Sequence, residues 1–446
     1  MKWIFSLLFV SSFAAQAAKI AVIDSGLDTK HRDLVGNIWQ NANESEDGRD
    51  NDGNGYQDDL FGWNFAEGNN QLIDYKYENT YTPEAFRFFD VQGRLLLGTA
   101  TEEDIAWIRK ASQDQEIMAN LQKFGNFVHG THVAGITVEG TQHQAMGVKL
   151  IPTEIKPFIT LLAAQGQNKS LTKNVRMRLL KGALDQLAKQ QMNLLEEIAV
   201  FVAGHKMDVA NGSFGTGYNQ AQMITTLAFK AIFFRDPSAE ELKEVTLHFL
   251  ASLIREGERM VKAAPKTIFV FAAGNDGTNN DEFPTSPTNI QAENVISVAA
   301  TYDVQFLANF SNYGVKTVDV AAPGMLIDSA IPVGRRLEVS GTSQAAPYVA
   351  QVVASIKDAN PTLTPAQVKK LLIGTVDFKD FLKGKILSQG IVNSERAVLA
   401  AQLSRSLGVD AAIARSRSSV RDREIGRDVL PASVKALALP LTAIFE

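Results

Sequence analysis

Short apolar runs that end on polar turns are the feature that most restricts how this chain can fold. The first run, KIAVID at residues 19–24, is rich in β-branched residues and ends on a carboxylate before a glycine-containing turn. Similar runs follow at residues 199–202, 268–273, 295–300 and 318–321. Runs of this length and composition are typical of parallel strands buried on both faces. Each is expected to deliver the residues that follow it to one edge of a sheet.

Helical patterns lie between several of these runs, as at residues 175–197 and 223–234. Strands that alternate with helices predict an α/β fold with a doubly wound, mostly parallel β-sheet flanked by helices. Ligands bind to such sheets beyond the carboxyl ends of the strands. The functional residues are therefore expected at that edge.

Two stretches exceed what a minimal sheet requires, and we interpret residues 67–123 and 218–264 as helical insertions. Pro83-Glu84 is a helix start signal in the first, and an amphipathic run at residues 102–121 predicts a helix after it. The sequence PSAEE at residues 237–241 is a strong helix start in the second.

The two ends of the chain differ from its body. Residues 1–18 have a positive start, an apolar run and a small-x-small site at residues 15–17, which predicts a signal peptide and a secreted or periplasmic protein. The alternative is a buried first helix or strand. Because the apolar run is too short to span a bilayer comfortably, no stable membrane anchor is expected after cleavage. The body is then residues 19–404, and residues 405–446 are predicted to be a tail or a small helical extension.

Composition excludes several classes of function. A formal net charge of -5 gives no electrostatic reason to expect a nucleic-acid partner. The chain contains no cysteine, which excludes disulfides, thiolate metal sites and a thiol nucleophile.

Three residues are candidates for nucleophilic chemistry. A serine nucleophile needs a nearby base, and the chain has six histidines, of which His129 and His132 lie in the small-residue segment HGTHVAG. Ser343 is expected in the first turn of a helix, where unpaired amides favour developing negative charge. Asp24 ends the first apolar run. Taken singly, each has a structural explanation, as a core histidine at a helix start, a helix cap and a turn residue.

Jointly, these segments resemble the subtilisin family. VIDSG at residues 22–26 looks like its aspartate motif, HGTH at 129–132 like its histidine motif and GTS at 341–343 like its serine motif. The order Asp, His, Ser is the order found in subtilisin. FAAGN at residues 271–275 is similar to the family's strand that ends in the oxyanion-hole asparagine.

The resemblance implies a serine endopeptidase that hydrolyses peptide bonds through an acyl-enzyme, with Asp24, His129 and Ser343 as its triad. Asn275 is implied to donate a hydrogen bond to the oxyanion of the tetrahedral intermediate. His132 and His31 match non-catalytic positions of the family. No cofactor is expected for the chemistry itself.

The resemblance also implies an extended polypeptide substrate, bound by strand addition. The implied walls of the substrate site are Ser213, Phe214, Gly215, Ala272, Ala273 and Gly274. Asp281 and Glu282 precede a stretch similar to the floor of the primary pocket. A carboxylate that points inward there would favour a basic P1 residue, the alternative being that both are solvated. The oligomeric state is left open.

An oxygen-rich loop, DNDGNGYQDD at residues 50–59, predicts a structural Ca²⁺ site. The expected ligands stand at alternate positions and are Asp50, Asp52, Asn54, Tyr56 and Asp58. Phe61 occupies the twelfth position in place of a bidentate glutamate, which argues against a true EF-hand. A turn without metal is the alternative.

Two other functions are compatible with such a chain. One is a catalytically silent binding protein on the subtilisin fold, with its cleft occluded by the insertions. The other is an esterase or lipase, against which the absence of a G-x-S-x-G elbow argues.

Overall fold

The computed structural model describes residues 17–154 and 172–424. Within these residues the central sheet has ten strands in the order β11-β12-β8-β6-β5-β4-β1-β3-β2, with β7 paired to β6. The pairings are parallel except those of β11 and β7, and β9 and β10 form a separate hairpin. The strands are β1 (Lys19–Asp24), β2 (Gly62–Asn64), β3 (Gln144–Lys149), β4 (Val209–Gly212), β5 (Ile268–Ala272), β6 (Val295–Tyr302), β7 (Phe306–Leu307), β8 (Val320–Pro323), β9 (Ile327–Ile331), β10 (Arg335–Val339), β11 (Asp377–Phe378) and β12 (Gly390–Ile391). The predicted doubly wound α/β fold is confirmed.

Helices cover both faces of this sheet. They are α1 (Pro83–Leu97), α2 (Glu102–Ala111), α3 (Gln115–Val138), α4 (Lys173–Gly204), α5 (Tyr218–Phe233), α6 (Ala239–Ala263), α7 (Thr342–Ala359), α8 (Pro365–Gly374), α9 (Ser394–Leu403) and α10 (Val409–Ser419). Short 3-10 turns lie at Val35–Asn37, Tyr75–Thr80 and Asp380–Leu382.

The period-2 alternation of the strands divides the apolar core into two layers. In β5, Phe269 and Phe271 belong to the layer that contains α4, α5 and α6. Ile268 and Val270 belong to the opposite layer, with α7, α8 and α9. Because both faces are covered, the strands carry nearly continuous apolar runs.

The strand predicted at residues 199–202 is wrong, since these residues form the last turns of α4. Leu195, Ile198, Ala199 and Val202 are buried, whereas Val200 is 58% exposed. This spacing is one stripe of a helix, and a four-residue apolar run does not separate that pattern from a buried strand. The strand that lies between β1 and β5 is β4, which follows α4.

The first insertion forms α1, α2 and the beginning of α3. Thr82 caps α1 before Pro83, which confirms the predicted start. The single helix expected at residues 102–121 is wrong, because α2 ends at Ala111 and Asp114 caps a new helix by accepting from the amides of Glu116 and Ile117. The new helix, α3, continues into the body of the fold.

The second insertion is helical, as predicted. Ser238 and Glu241 form a reciprocal capping box at the start of α6. α6 packs along α4 on one face of the sheet.

Beyond Ser404 the chain forms α10, which packs on α8 and α9. Arg396, which is 1% exposed, donates to the carbonyl oxygen of Val420 and to Asp422, and so attaches the segment after α10 to the body. Residues 1–16, 155–171 and 425–446 lie outside the described residues, so the signal peptide and the last part of the predicted tail lie largely there. None of the helices that the structure describes has the length and apolar character needed to cross a membrane.

Candidate active site

The last residue of β1 is hydrogen-bonded to a histidine of α3. His129 Nδ1 lies 2.6 Å from Asp24 Oδ1, and the same oxygen accepts from the amide of Ser25 at 2.7 Å. Asp24 is fully buried and His129 is nearly so. A carboxylate in this position holds the proton on Nδ1 and leaves Nε2, on the opposite edge of the ring, to act as a base.

Close backbone packing brings α3 to this strand end. A Cβ placed on Gly130 would lie 2.0 Å from the carbonyl oxygen of Gly26, so no other residue fits there. The amide of Gly130 also donates to Ser25 Oγ at 3.1 Å. His129 was expected at a helix start, and that expectation is wrong: it lies well inside α3, because the first insertion extends the helix on its N-terminal side.

Ser343 lies in the first turn of α7, as predicted. Its Oγ donates to the carbonyl oxygen of Ser213 at 3.2 Å, and Ser213 Oγ donates back to the carbonyl oxygen of Ser343 at 3.0 Å. Both serines are buried, and α7 packs against α3. The serine hydroxyl therefore lies at the positive end of a helix.

Asn275 is attached to the start of the same helix. Its Oδ1 accepts from the amide of Thr342 at 2.8 Å and from Thr342 Oγ1 at 2.9 Å. Since an amide N–H only donates, these bonds fix which amide atom is oxygen. The Asn275 NH₂ group therefore faces away from Thr342 and is available as a donor.

The sheet explains why these residues meet. β1, β4 and β5 are adjacent and parallel, so their carboxyl ends share one edge. Asp24, Ser213 and Asn275 are the last residue of one strand and residues that follow the other two. The structure thus places the predicted residues on neighbouring elements at the predicted edge.

A profile of the subtilase family matches residues 15–408. The chain belongs to the subtilase family. Subtilisin-like protease 1 of Plasmodium berghei is 24% identical to this subtilase over 398 residues, which are 87% of this chain and 51% of that protein. The Cell wall-associated protease of Bacillus subtilis is 41% identical over 106 residues, 24% of this chain and 11% of that protein.

A third relative, the Extracellular protease of Xanthomonas campestris, is 41% identical over 143 residues, 30% of this chain and 24% of that protein. The subtilase chain covers 51% or less of the length of these three relatives. Among solved structures, a lanthipeptide protease has 16% identity and a TM-score of 0.48, with 85% of this chain and 88% of that chain covered. A cold adapted subtilisin-like serine proteinase has 19% identity and a TM-score of 0.44, with 86% and 93% covered.

The other two histidines of the family motifs make structural contacts in this subtilase. His132 Nε2 lies 2.9 Å from the carbonyl oxygen of Leu337 and 3.1 Å from that of Ile327. Burial lowers the pKa of His132 to about 4, so the ring is neutral at pH 7. His31 Nε2 lies 3.0 Å from the carbonyl oxygen of Arg335.

The two predicted substrate walls are held by neighbouring segments. Thr216 pairs antiparallel with Ser286, which anchors the segment that contains Ser213, Phe214 and Gly215. A Cβ on Gly215 would lie 2.8 Å from the carbonyl oxygen of Ser286. On the other wall, three hydrogen bonds hold the backbone at the end of β5. The amide of Ala273 donates to the carbonyl oxygen of Val298, and the amide of Gly274 donates to Thr342 Oγ1. The carbonyl oxygen of Ala272 accepts from Thr288 Oγ1.

The two carboxylates considered for a basic P1 residue are exposed, which supports the solvated alternative. Asp281 accepts from Thr317 Oγ1 at 2.7 Å and from the amide of Lys316. Glu282 lies 3.5 Å from Asn279 Nδ2.

The acidic loop has a different geometry from the one its spacing predicts. Both carboxylate oxygens of Asp50 accept from amides of the loop itself, and Asp58 Oδ1 accepts from the amides of Asp47 and Gly48. The side-chain oxygen of Asn54, Oδ1, accepts from the amide of Tyr56. Of the five expected ligands, Asp52 alone belongs to the acidic cluster that the described residues form, and its partners there are Glu44 and Asp59.

Sequence spacing missed Glu44 and Asp59. Ligand oxygens of Glu44, Asp52 and Asp59 lie within 4.8 Å of one another. Asp59 lies one residue after the last of the alternate positions, and Glu44 lies before the first of them. The run of adjacent acidic residues at 58–59 was the one signal in the sequence for Asp59.

Proposed function

We propose that this subtilase is a serine endopeptidase that hydrolyses extended polypeptides outside the cytoplasm, in the periplasm or after secretion. The observation that carries the proposal is the 2.6 Å contact between buried Asp24 and His129, with Ser343 on the adjoining helix start. The leader at residues 1–18 supports export, as do relatives named Extracellular protease and Cell wall-associated protease.

In the proposed reaction Ser343 Oγ attacks the scissile carbonyl carbon while His129 Nε2 takes its proton. The hydroxyl must first leave the carbonyl oxygen of Ser213, to which it donates at 3.2 Å. Asp24 stabilises the imidazolium that forms. His129 then protonates the leaving amine, and water hydrolyses the acyl-enzyme.

The negative oxygen of the tetrahedral intermediate would accept from Asn275 Nδ2 and from the amide of Ser343. Such donors act on charge that is absent from the substrate, so they lower the barrier without tightening substrate binding. Removing one of them costs about 10²–10³ in kcat, a scale known for subtilisin itself.

We propose that Ca²⁺ is held by the cluster of Glu44 with Asp52 and Asp59 of the acidic loop. Hard oxygen donors suit this ion. Glu44 is 6% exposed, and its Oε2 has no hydrogen-bond partner among the described residues. An unpaired buried carboxylate oxygen is costly, and a bound cation would satisfy it. The ion would stabilise the loop and take no part in the chemistry.

A fluorophosphonate probe tests the proposal, because it reacts with activated serines. The expected result is labelling of Ser343, located by peptide mass spectrometry, and hydrolysis of a peptide library but not of short-chain esters. Ser343→Ala should abolish both labelling and hydrolysis. Folded wild-type protein that takes no label would instead favour the silent binding protein, and selective ester hydrolysis would favour the esterase.

The chain offers a matched control serine. Ser355 Oγ lies 3.0 Å from His143 Nε2, and His143 Nδ1 lies 3.2 Å from Asp358 Oδ2. In this second Ser-His-Asp cluster, Ser355 and Asp358 lie on α7 and His143 directly precedes β3, and Ser355 Oγ donates to the carbonyl oxygen of Gln351. Ser355→Ala should leave labelling unchanged.

A further inference from the structure

The turn after β5 carries the proposed oxyanion donor, and its backbone is unusual. Gly274 has φ +105°, a backbone conformation that residues other than glycine rarely adopt. Asn275 follows it directly. The position of the Asn275 donor therefore depends on what holds the backbone of this turn.

One buried residue, Asn312, holds that backbone on both sides of Asn275, with its backbone on one side and its side chain on the other. The backbone N–H of Asn312 donates to the carbonyl oxygen of Gly274 at 2.9 Å. Asn312 Oδ1 accepts from the amide of Asp276 at 2.9 Å and from the amide of Thr278 at 3.1 Å. Asn312 is fully buried and lies in the loop between β7 and β8.

The other end of the Asn312 side-chain amide, its NH₂ group, is also hydrogen-bonded. Its Nδ2 donates to Asn280 Oδ1 at 3.0 Å and lies 3.4 Å from Thr285 Oγ1. Asn280 in turn donates to the carbonyl oxygen of Ala273 at 2.8 Å. Both ends of the Asn312 side-chain amide are therefore hydrogen-bonded, and the amide cannot rotate without leaving a buried polar group unpaired.

Asn312 also packs directly on the strained glycine. A Cβ on Gly274 would lie 2.5 Å from Asn312 Nδ2. The absence of a side chain at Gly274 therefore serves both the backbone conformation and the close approach of Asn312.

We propose that Asn312 is a positioning residue of the oxyanion hole, a role that rests on the proposed peptidase function. Thr342 sets the orientation of the Asn275 side-chain amide, and Asn312 sets the backbone from which that side chain extends. Asn312 touches neither the substrate nor the reacting atoms and acts through Asn275.

Loss of this support should slow the chemical step more than it weakens substrate binding. Oxyanion stabilisation requires donors within a few tenths of an ångström of the developing charge. For Asn312→Ala we expect kcat to fall about 10-fold to 100-fold, a part of what loss of the donor itself costs. KM should change less than about 3-fold, because the donor acts mainly in the transition state.

A double-mutant cycle between Asn312 and Asn275 separates positioning from general damage. We expect Asn312→Ala to lower kcat in the wild-type background and to have almost no further effect in the Asn275→Ala background. Asn312→Leu, which removes the oxygen that accepts from Asp276 and Thr278 but keeps a similar shape, serves as a second variant if the alanine variant does not fold. Circular dichroism and urea unfolding would establish that each variant is folded.

Asn294 provides a matched control. It is a buried asparagine whose Nδ2 lies within 3.2 Å of the carbonyl oxygens of Val261, Ala264 and Thr267, away from the turn. Asn294→Ala should lower stability without changing kcat.

The outcomes distinguish this proposal from the proposed function. If Asn275→Ala is as fast as the wild type, or if the folded wild type has no peptidase activity, the oxyanion hole itself is wrong and the role of Asn312 with it. If Asn275→Ala is slow but folded Asn312 variants keep full kcat, or lose the same factor in both backgrounds, the proposal for Asn312 alone is overturned.

Discussion

Two aspartate–histidine pairs in this subtilase have buried carboxylates, similar geometry and different surroundings. Asp24 lies 2.6 Å from His129, and Asp59 lies 3.1 Å from His205. Both aspartates are fully buried. The pairs differ in the ring nitrogen that faces the carboxylate, which is Nδ1 in His129 and Nε2 in His205.

The neighbours of each pair differ more than the pairs do. His129 lies on α3, which packs against α7, the helix whose first turn contains Ser343. His205 lies against the rings of Trp39 and Phe201, with centroids 5.0 and 4.5 Å away. The comparison teaches that an aspartate–histidine pair does not by itself make a catalytic site. The role of the pair depends on which groups lie beside the part of the histidine ring that does not face the carboxylate.

Electrostatics at Asp59 fits a cation site. Burial raises the pKa of Asp59, but hydrogen bonds from His205, Asn54 and Asn41 outweigh it and hold the pKa below its ordinary value. Asp59 is therefore a carboxylate at neutral pH, available to a cation.

The same substitution in both pairs would break the comparison most strongly. Asp24→Asn should lower kcat about 10⁴-fold, because the amide no longer holds the required tautomer of His129. Asp59→Asn should instead reduce the rise in Tm on adding Ca²⁺. Peptide hydrolysis rates and thermal unfolding with and without Ca²⁺ would check both. A fall of less than tenfold for Asp24→Asn would contradict the proposed triad.

His132 sharpens the comparison, since it lies one turn from His129 and faces two carbonyl oxygens instead of a carboxylate. Its pKa of about 4 lies below the ordinary value of 6.5, so the unfolded chain takes up the proton first as pH falls. Stability contributed by neutral His132 is therefore present above pH 6.5 and lost between pH 6.5 and 4, by roughly 3 kcal/mol. Urea unfolding at several pH values should show a shallower acid loss in His132→Gln. An unchanged pH slope would contradict the prediction.

Removal of calcium tests the second pair as a whole. If the cluster of Glu44, Asp52 and Asp59 binds Ca²⁺, ion at 100 times its Kd should stabilise the fold by about 2.7 kcal/mol. Chelation should lower Tm by a few degrees. Glu44→Gln should shrink the response, whereas Glu282→Gln, an exposed carboxylate outside the loop, should not. Equal Tm values with chelator and with Ca²⁺ would contradict the site.

Asp276 supplies the smallest expected effect, as a carboxylate that accepts from an amide instead of from histidine. Its Oδ1 accepts from Asn219 Nδ2 at 2.7 Å, and its Oδ2 is buried without a hydrogen-bond partner among the described residues. Burial raises the pKa of Asp276 above 3.8, so the folded state binds the proton more tightly and stability falls as pH rises past that value.

Asp276→Asn should therefore raise the free energy of unfolding at pH 7, with no gain at low pH, where Asp276 is protonated. Asp281→Asn, which replaces an exposed carboxylate nearby, should not raise the free energy of unfolding at either pH. Urea unfolding at pH 7 and pH 3 measures both. A less stable Asp276→Asn variant at pH 7 would show that the charged form is stabilised after all.

The fold could be predicted where local pattern and long-range order agree. Capping residues such as Thr82 and Ser238 gave correct helix starts because a cap is decided by a few neighbouring residues. The prediction failed at residues 199–202, where a short apolar run suits either a strand or a buried helix face. Packing of α4 against the sheet decided between them.

The sequence alone determined the edge at which the proposed chemistry lies. Apolar runs define parallel strands, parallel strands align their carboxyl ends, and the residues after those ends then meet. Asp24 and Asn275 follow from that rule, whereas Ser213, His129 and Ser343 came from the segments that resemble the family's motifs. The family match over residues 15–408 agrees with this inference.

Tertiary structure alone decided which polar groups share a partner across the chain. Glu44 joins Asp52 and Asp59, and Asn312 reaches the turn at Gly274, although no spacing rule connects these positions. The physical reason is that a buried hydrogen bond or carboxylate cluster depends on where separate loops pack. Periodicity reports the conformation of each segment and not the distance between two of them.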